Sequence, residues 1–216
     1  MPPAPTDPRH DGSGAEAALL SIPTDAEIRA LHERHAPTRE AFDQVYGHSL
    51  IVCALAEQLV PRSPVPVDAA LVRAGSLLHD IGVYRLYRDG TLDHREYIRH
   101  GVLGHDLLRE EGLPEELCRF CSCHTGMGVT RDDVTRQGLP IPVADYVPAT
   151  PEEELVMFAD KFHTKSTPPA FVSPATFAAR VARFGEDKVT RFENLRATLG
   201  DPDLLTLSAR YGQRIK

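Results

Sequence analysis

The sequence predicts an all-α fold, on three observations. Apolar residues recur at helical spacing in several segments, side-chain caps and prolines punctuate those segments, and no stretch alternates apolar and polar residues over a useful strand length. Residues 1–22 are rich in Pro, Gly and Ala and poor in large apolar residues, so they read as a disordered tail ahead of one domain over 23–216. Thr24 with Glu27 three positions on is a capping-box pattern that starts the first helix. A second helix is expected over 39–59, where Val45, His48, Val52, Leu55 and Leu59 share one stripe and PRSPVPV stops it. A third covers 68–79, and GVYRLYRDGTLDHRE after it reads as loop. A helix over 97–111 ends at Gly112, and Pro114 opens a short helix toward His124. Between Gly126 and Thr150 one short helix, 130–137, and the extended GLPIPVADYVPAT suggest a lid. Thr150, Pro151 and Glu153 cap a helix expected to carry 157–165; Ser173-Pro174 opens another, and helices over 185–199 and 202–211 finish the chain.

Composition narrows the function. With 216 residues, 42% hydrophobic and 25% charged, the chain can bury a core of one domain, and no apolar run approaches the roughly 18 residues of a membrane span. The N-terminus lacks a basic start followed by an apolar stretch, which places the chain in the cytoplasm as an expectation. The net charge is -7 and the basic residues form no block, which argues against binding a nucleic-acid polymer or an anionic membrane. An anionic substrate would then need local positive charge, such as a metal. Cys118, Cys121 and Cys123 beside His124 invite a zinc site, but Cys53 alone is poor support for a second ligand pair, so a buried cluster of reduced thiols is the better reading.

The informative residues are ionisable groups on faces that should be buried. His48 shares its stripe with Val52 and Leu55; His79 follows Leu71, Gly75 and Leu78; His100 precedes Leu103 and Leu107; His124 follows Leu117, Phe120 and Cys121; Asp160 lies with Val156 and Ala159. Asp80 adds a carboxylate next to His79. Any one of these histidines reads ordinarily as a core imidazole bonded to a backbone carbonyl. Four imidazoles and two carboxylates buried together are different, because each unpaired ion costs several kcal/mol unless a shared cation satisfies it. Imidazole with carboxylate suits Fe, Mn, Co, Ni or Zn.

LLHDIG around His79 and Asp80, preceded by His48 in an apolar helix and followed by Asp160 in FADK, resembles the HD-domain superfamily of metal-dependent phosphohydrolases in its HDIG form, with the order H…HD…H…H…D. The resemblance covers about residues 40–166. It implies that His48, His79, Asp80 and Asp160 bind one divalent transition metal. It also implies that His100 in RHGVLGHDLL and His124 in CSCHTGMG hold a second ion, with Asp80 as the bridge. The stretch from HTGMG to FADK is similar to a small stand-alone branch of HDIG proteins. The activity implied is hydrolysis of a nucleotide or another small phosphorylated metabolite by a metal-activated water, with no partner membrane or nucleic-acid polymer and a homodimer compatible with it. Two alternatives share the same ligands: an HD-type mixed-valent di-iron oxygenase, and a non-catalytic nucleotide-binding protein.

Flanking groups complete the expectation. Asp80 and Lys161 are the candidate catalytic residues; Lys161 and Lys165 are expected one helical turn apart beside Asp160, with His163 on the flank of that helix, where they would bind phosphate or assist the leaving group. A solvated helix face is the competing reading for the lysines. Arg85 and Arg88 with Tyr84 and Tyr87 form either a substrate-facing edge or a plain surface loop. His32, His35, His94 and His105 match no motif position and are expected on the surface, with His94 nearest the mouth of the site.

Overall fold

The computed structural model describes residues 21–216. The tail expected over 1–22 falls almost wholly outside that range, and Ile22 at its edge packs half-buried against the core. Helix α1 (Asp25–His35) opens with the capping box expected of Thr24 and Glu27. Helix α2 (Arg39–Leu59), capped by Thr38, is the longest element and buries Val45, His48, Val52, Leu55 and Leu59 along one face. Helix α3 (Ala69–Leu78) begins on the Asp68 carboxylate, which accepts from the amides of Ala70 and Leu71, and ends at His79. The segment expected as loop forms two 3-10 turns, Ile81–Leu86 and His94–Arg99, separated by a two-residue hairpin, β1 (Tyr87–Arg88) and β2 (Thr91–Leu92).

Helix α4 (His100–Glu110) packs on the turn that follows Asp80 and on α5 (Glu115–Cys123), and α5 packs on α3, because glycines remove side chains from the contacts. A Cβ at Gly75 would collide with the Phe120 ring, and one at Gly82 would collide with the carbonyl of His100 and the amide of Gly104. The last glycine of LLHDIG is therefore a packing requirement: it lets the start of α4, which carries His100, sit on the backbone just after Asp80. A short helix α6 (Arg131–Gln137) precedes α7 (Pro151–Asp160), which begins on Thr150 with Pro151 in its first turn.

Helix α7 stops at Asp160, five residues short of the expected end. The chain turns at Lys161 and forms β3 (His163–Thr164), which pairs antiparallel with β4 (Ala170–Phe171). Phe162 drops into an aromatic cluster with Phe158 and Phe192, and its carbonyl accepts from Val172. These pairings with later residues take the backbone groups a longer helix would have used. Lys161, His163 and Lys165 consequently leave the helix and point to separate places. Helices α8 (Pro174–Val181), α9 (Glu186–Leu199) and α10 (Leu204–Tyr211) follow, and the last residues return to β4, where Ile215 bridges Phe171.

Two apolar cores flank the middle of the bundle. One joins α1 and the start of α2 to α3, α4 and α5; the other joins the end of α2 to α7 and the C-terminal helices. The segment 126–150 is held by paired bonds between Val129 and Tyr146 and by Arg131 N to the Asp145 carboxylate at 2.8 Å. Arg119 adds a bond to the Val147 carbonyl, at 3.1 Å. It thus packs as an anchored surface turn, and the cavities described below take no wall from it.

Candidate metal centre

Five of the six ionisable residues sit at helix ends. His79 and Asp80 follow α3, His100 is the first residue of α4, His124 caps α5, and Asp160 ends α7. Only His48 lies within a helix, on the buried face of α2. The helix ends meet beside His48, and all six residues are buried or nearly so, with His79 and Asp80 fully sealed from solvent.

Two groups result, and they share Asp80. One ligand atom from each of His48, His79, Asp80 and Asp160 lies within 4.8 Å of the others, and the same holds for Asp80, His100 and His124. In the first group His48 Nε2 is 3.0 Å from Asp160 Oδ1 and 3.1 Å from Asp80 Oδ2, and His79 Nε2 is 3.1 Å from Asp80 Oδ2. In the second, His100 Nε2 and His124 Nε2 are 3.0 Å apart and each lies 3.6 Å from Asp80 Oδ1.

Backbone carbonyls decide which nitrogens face inward. The Nδ1 of His79 donates to Ser76 O at 2.7 Å, that of His100 to Tyr97 O at 2.6 Å, and that of His124 to Phe120 O at 3.0 Å. In its neutral form each ring therefore turns an Nε2 lone pair toward Asp80, as His100 and His124 do. Asp80 Oδ1 is buried with no hydrogen-bond partner. Two imidazole lone pairs and an orphaned carboxylate oxygen thus converge with no donor among them, an arrangement that a divalent cation satisfies and hydrogen bonding does not.

The electrostatics differ across the cluster. Burial disfavours the charged form of His79, but Asp80 and Asp160 outweigh it and raise the imidazole to about 9. His100 is pushed down to about 3 by burial and by the neighbouring His124, and burial lowers His124 as well. Burial works against the Asp80 and Asp160 carboxylates, yet Lys165 and His79 hold Asp80, and Lys161 and His48 hold Asp160, well below the usual carboxylate range. Both carboxylates are thus held in the ionised form that can ligate a cation.

The two lysines that the sequence placed together stand at different points of the cluster. Lys161 is buried, and its ammonium donates to Asp160 Oδ2 at 2.7 Å and to the His124 carbonyl at 2.8 Å, tying together residues of both groups. Lys165 pairs with Asp80 Oδ2, lies over the Tyr97 ring, and lines both cavities that adjoin the cluster. One cavity, about 400 Å³, runs along α2 past Gly47 and His48 to Tyr211 and Gln213. The other, about 310 Å³, reaches Asp160 and is walled by Tyr97, Leu92 and His94, so His94 does stand at the mouth.

Several residues depart from expectation. His32 is buried, with Nε2 donating to Leu77 O and Nδ1 accepting from the Tyr84 hydroxyl, each at 2.9 Å; its surface assignment fails because Tyr84 and the end of α3 close over it. Arg85 pairs with Glu110 and Arg88 folds onto the carbonyls of Arg85 and Tyr87, so the arginines line neither cavity. All four cysteines are buried free thiols, and burial pushes Cys121 up while its Sγ donates to Leu78 O, so none joins a metal-capable group. Gln44, Tyr97 and Gln213 were missed. Gln44 stands one helical turn before His48 and Tyr97 three residues before His100, spacings that carried the signal; Gln213 carried none.

Comparison with known proteins agrees with this architecture. The family model for the HD domain matches residues 45–165. An uncharacterized protein of Methanocaldococcus jannaschii is 38% identical over 128 residues, covering 57% of this chain and 69% of that protein. Two proteins named tRNA (cytidine(56)-2'-O)-methyltransferase are also similar. The one from Picrophilus torridus is 40% identical over 44% of this chain, and the one from Thermoplasma volcanium 33% identical over 56%. The matches span only 25% and 32% of those proteins. Among solved structures, the HD domain of the L. monocytogenes phosphodiesterase PgpH in complex with cyclic-di-AMP superposes with a TM-score of 0.52 at 20% identity. That match covers 88% of this chain and 99% of the other, and it shows the shared helical fold. With more than half its length matched and the HD pair at the centre of its buried cluster, the chain belongs to the HD-domain family.

Proposed function

We propose that this chain hydrolyses a phosphate ester or anhydride of a nucleotide or another small phosphorylated metabolite, using two divalent transition-metal ions. The observation that carries the reading is the shared Asp80, one oxygen of which faces His48 and His79 while the other, without a hydrogen bond, faces His100 and His124. His48, His79, Asp80 and Asp160 would hold one ion, and Asp80, His100 and His124 the other, from among Fe, Mn, Co, Ni and Zn. Such ions supply positive charge for phosphoryl oxygens and the acidity that ionises a water near neutral pH.

The chain's own residues do the rest. Lys165, at the mouth beside Asp80 and Tyr97, is placed to pair with a phosphoryl oxygen, which makes it a better candidate than Lys161 for contact with substrate. Lys161 holds the Asp160 carboxylate in its orientation and is a positioning residue. The two cavities offer room for the organic part of a nucleotide-sized molecule. Cyclic-di-AMP, bound by the similar PgpH domain, belongs to the same chemical class.

The test is a screen of manganese-loaded protein, without oxygen, for phosphate or phosphomonoester release from nucleotides, cyclic dinucleotides and sugar phosphates. Release that Asp80→Ala abolishes supports the reading. Oxygen consumption by the iron-loaded protein without phosphate release would move the assignment to an oxygenase, and nucleotide binding without turnover to a non-catalytic role.

A further inference from the structure

His48 differs from the other three histidines of the cluster in how its ring is fixed. His79, His100 and His124 lie at helix ends and give their Nδ1 protons to carbonyls three or four residues back. His48 lies inside α2, where the carbonyls of the preceding turn are engaged by the helix itself. Its Nδ1 instead meets His163 Nδ1 at 2.7 Å, with the two rings stacked, and His163 Nε2 meets Gln213 Oε1 at 2.7 Å.

The directions along this chain follow from Gln213. A carbonyl oxygen can only accept, so His163 carries its proton on Nε2 and presents a lone pair at Nδ1. His48 must then donate from Nδ1, and its Nε2 lone pair is left facing Asp80 and Asp160, at 3.1 and 3.0 Å. Gln213 is itself held on both sides. It follows Gly212, whose left-handed φ of 63° turns the chain out of α10. Its amide donates to Ser208 O at 3.1 Å, and the next residues bond to β4 through Arg214 O and Lys216 N.

We infer that Gln213, through His163, is a positioning residue that sets the tautomer of His48 and thereby readies it as a metal ligand, so that a centre assembled within residues 45–165 depends on a side chain 48 residues beyond that segment. The inference rests on the reading of His48 as a ligand. Partners that orient a ligating histidine are typically worth about 10- to 100-fold in metal affinity.

The experiment uses the full chain and zinc as probe, with affinity from competition against a chelator and ring-nitrogen NMR shifts of the zinc-loaded protein. Wild type should show His48 protonated at Nδ1 and metallated at Nε2, with His163 protonated at Nε2. Gln213→Leu should weaken zinc binding about 10- to 100-fold. Gln213→Glu, which keeps an acceptor, should stay close to wild type. Lys216→Ala, which removes the Lys216 Nζ to Ser166 Oγ bond of the same terminal segment, should also leave affinity unchanged. His163 protonated at Nδ1 in the wild-type zinc form overturns the inference, as does a Gln213→Leu loss that Lys216→Ala reproduces. So does unaltered zinc affinity in Gln213→Leu. Wild type that binds zinc without His48, or not at all, overturns the metal-centre reading beneath it, an outcome distinct from a relay that fails while zinc still binds through His48.

Discussion

The two halves of the cluster share Asp80 and little else. The half with His48, His79 and Asp160 brings two carboxylates to two imidazoles at hydrogen-bond distance, and both lysines reach its carboxylate oxygens. Protons can satisfy it, which is why His79 is raised to about 9. The half with His100 and His124 has one shared carboxylate oxygen, two inward lone pairs and no donor, and there burial pushes His100 down to about 3. Protons satisfy this second half poorly, because each ring's Nδ1 proton goes to a carbonyl and burial disfavours a second, charging proton on Nε2. The difference teaches that the first half is the stronger cation site by charge, whereas the second is the one whose geometry has no other explanation.

Removing the shared residue should have the largest effect. Asp80→Ala is expected to reduce bound metal to background and activity by at least about 10³-fold, because both halves lose a ligand at once. Elemental analysis together with phosphate release checks this, and a variant that keeps one full ion per chain would show that the halves are independent.

Taking out the second half alone should split the comparison. His100→Ala and His124→Ala are expected to lower stoichiometry from about two ions to about one per chain, with the remaining ion bound as in wild type. Metal titration followed by mass spectrometry of the intact protein reads the count. Loss of both ions would mean that the first half does not stand by its own charge.

A smaller effect is expected at the mouth. Lys165→Met should raise KM by roughly 10- to 100-fold, the worth of a charged hydrogen bond of about 1.5–3 kcal/mol, and leave metal content intact. Lys161→Met should instead weaken metal binding, because Lys161 orients Asp160. Steady-state kinetics of the two variants beside their metal content separates substrate contact from ligand positioning, and identical profiles would remove that distinction.

His32 supplies a contrast outside the cluster. It too is buried, but one ring nitrogen donates and the other accepts, so it calls for no cation. Burial lowers it from 6.5 to about 4. A histidine with a depressed folded value stabilises the protein above its unfolded value, and that stability drains away as pH falls from 6.5 to about 4, by up to about 3 kcal/mol. Chelator-treated protein should show this acid limb in urea unfolding, on top of the limb from His100 and His124, and His32→Gln should make it shallower between pH 6.5 and about 4. An unchanged limb in the variant would assign the acid sensitivity to other groups.

Much of this was legible in the chain because the signals are local. Thr24 with Glu27 and Thr150 with Pro151 mark their helices from within four residues, and His48, His79, His100, His124 and Asp160 each lie on an apolar stripe that the fold turns inward. What failed depends on distant partners. The end of α7 at Asp160 is set by pairing with β4 and the C-terminal residues, and with it the divergence of Lys161 from Lys165. The burial of His32 depends on Leu77 and Tyr84, which are 45 and 52 residues away. Gln213 meets His163 across 50 residues, at a position with no periodic or motif signal.

The central claim is that one carboxylate joins two cation sites of unlike character, and the most direct measurement is anomalous diffraction from crystals of the zinc-loaded protein. Two peaks are predicted, one on each side of Asp80, the first contacted by Nε2 of His48 and His79 and by Asp160, the second by Nε2 of His100 and His124. A single peak, or contacts through Nδ1 of any of the four rings, would contradict it.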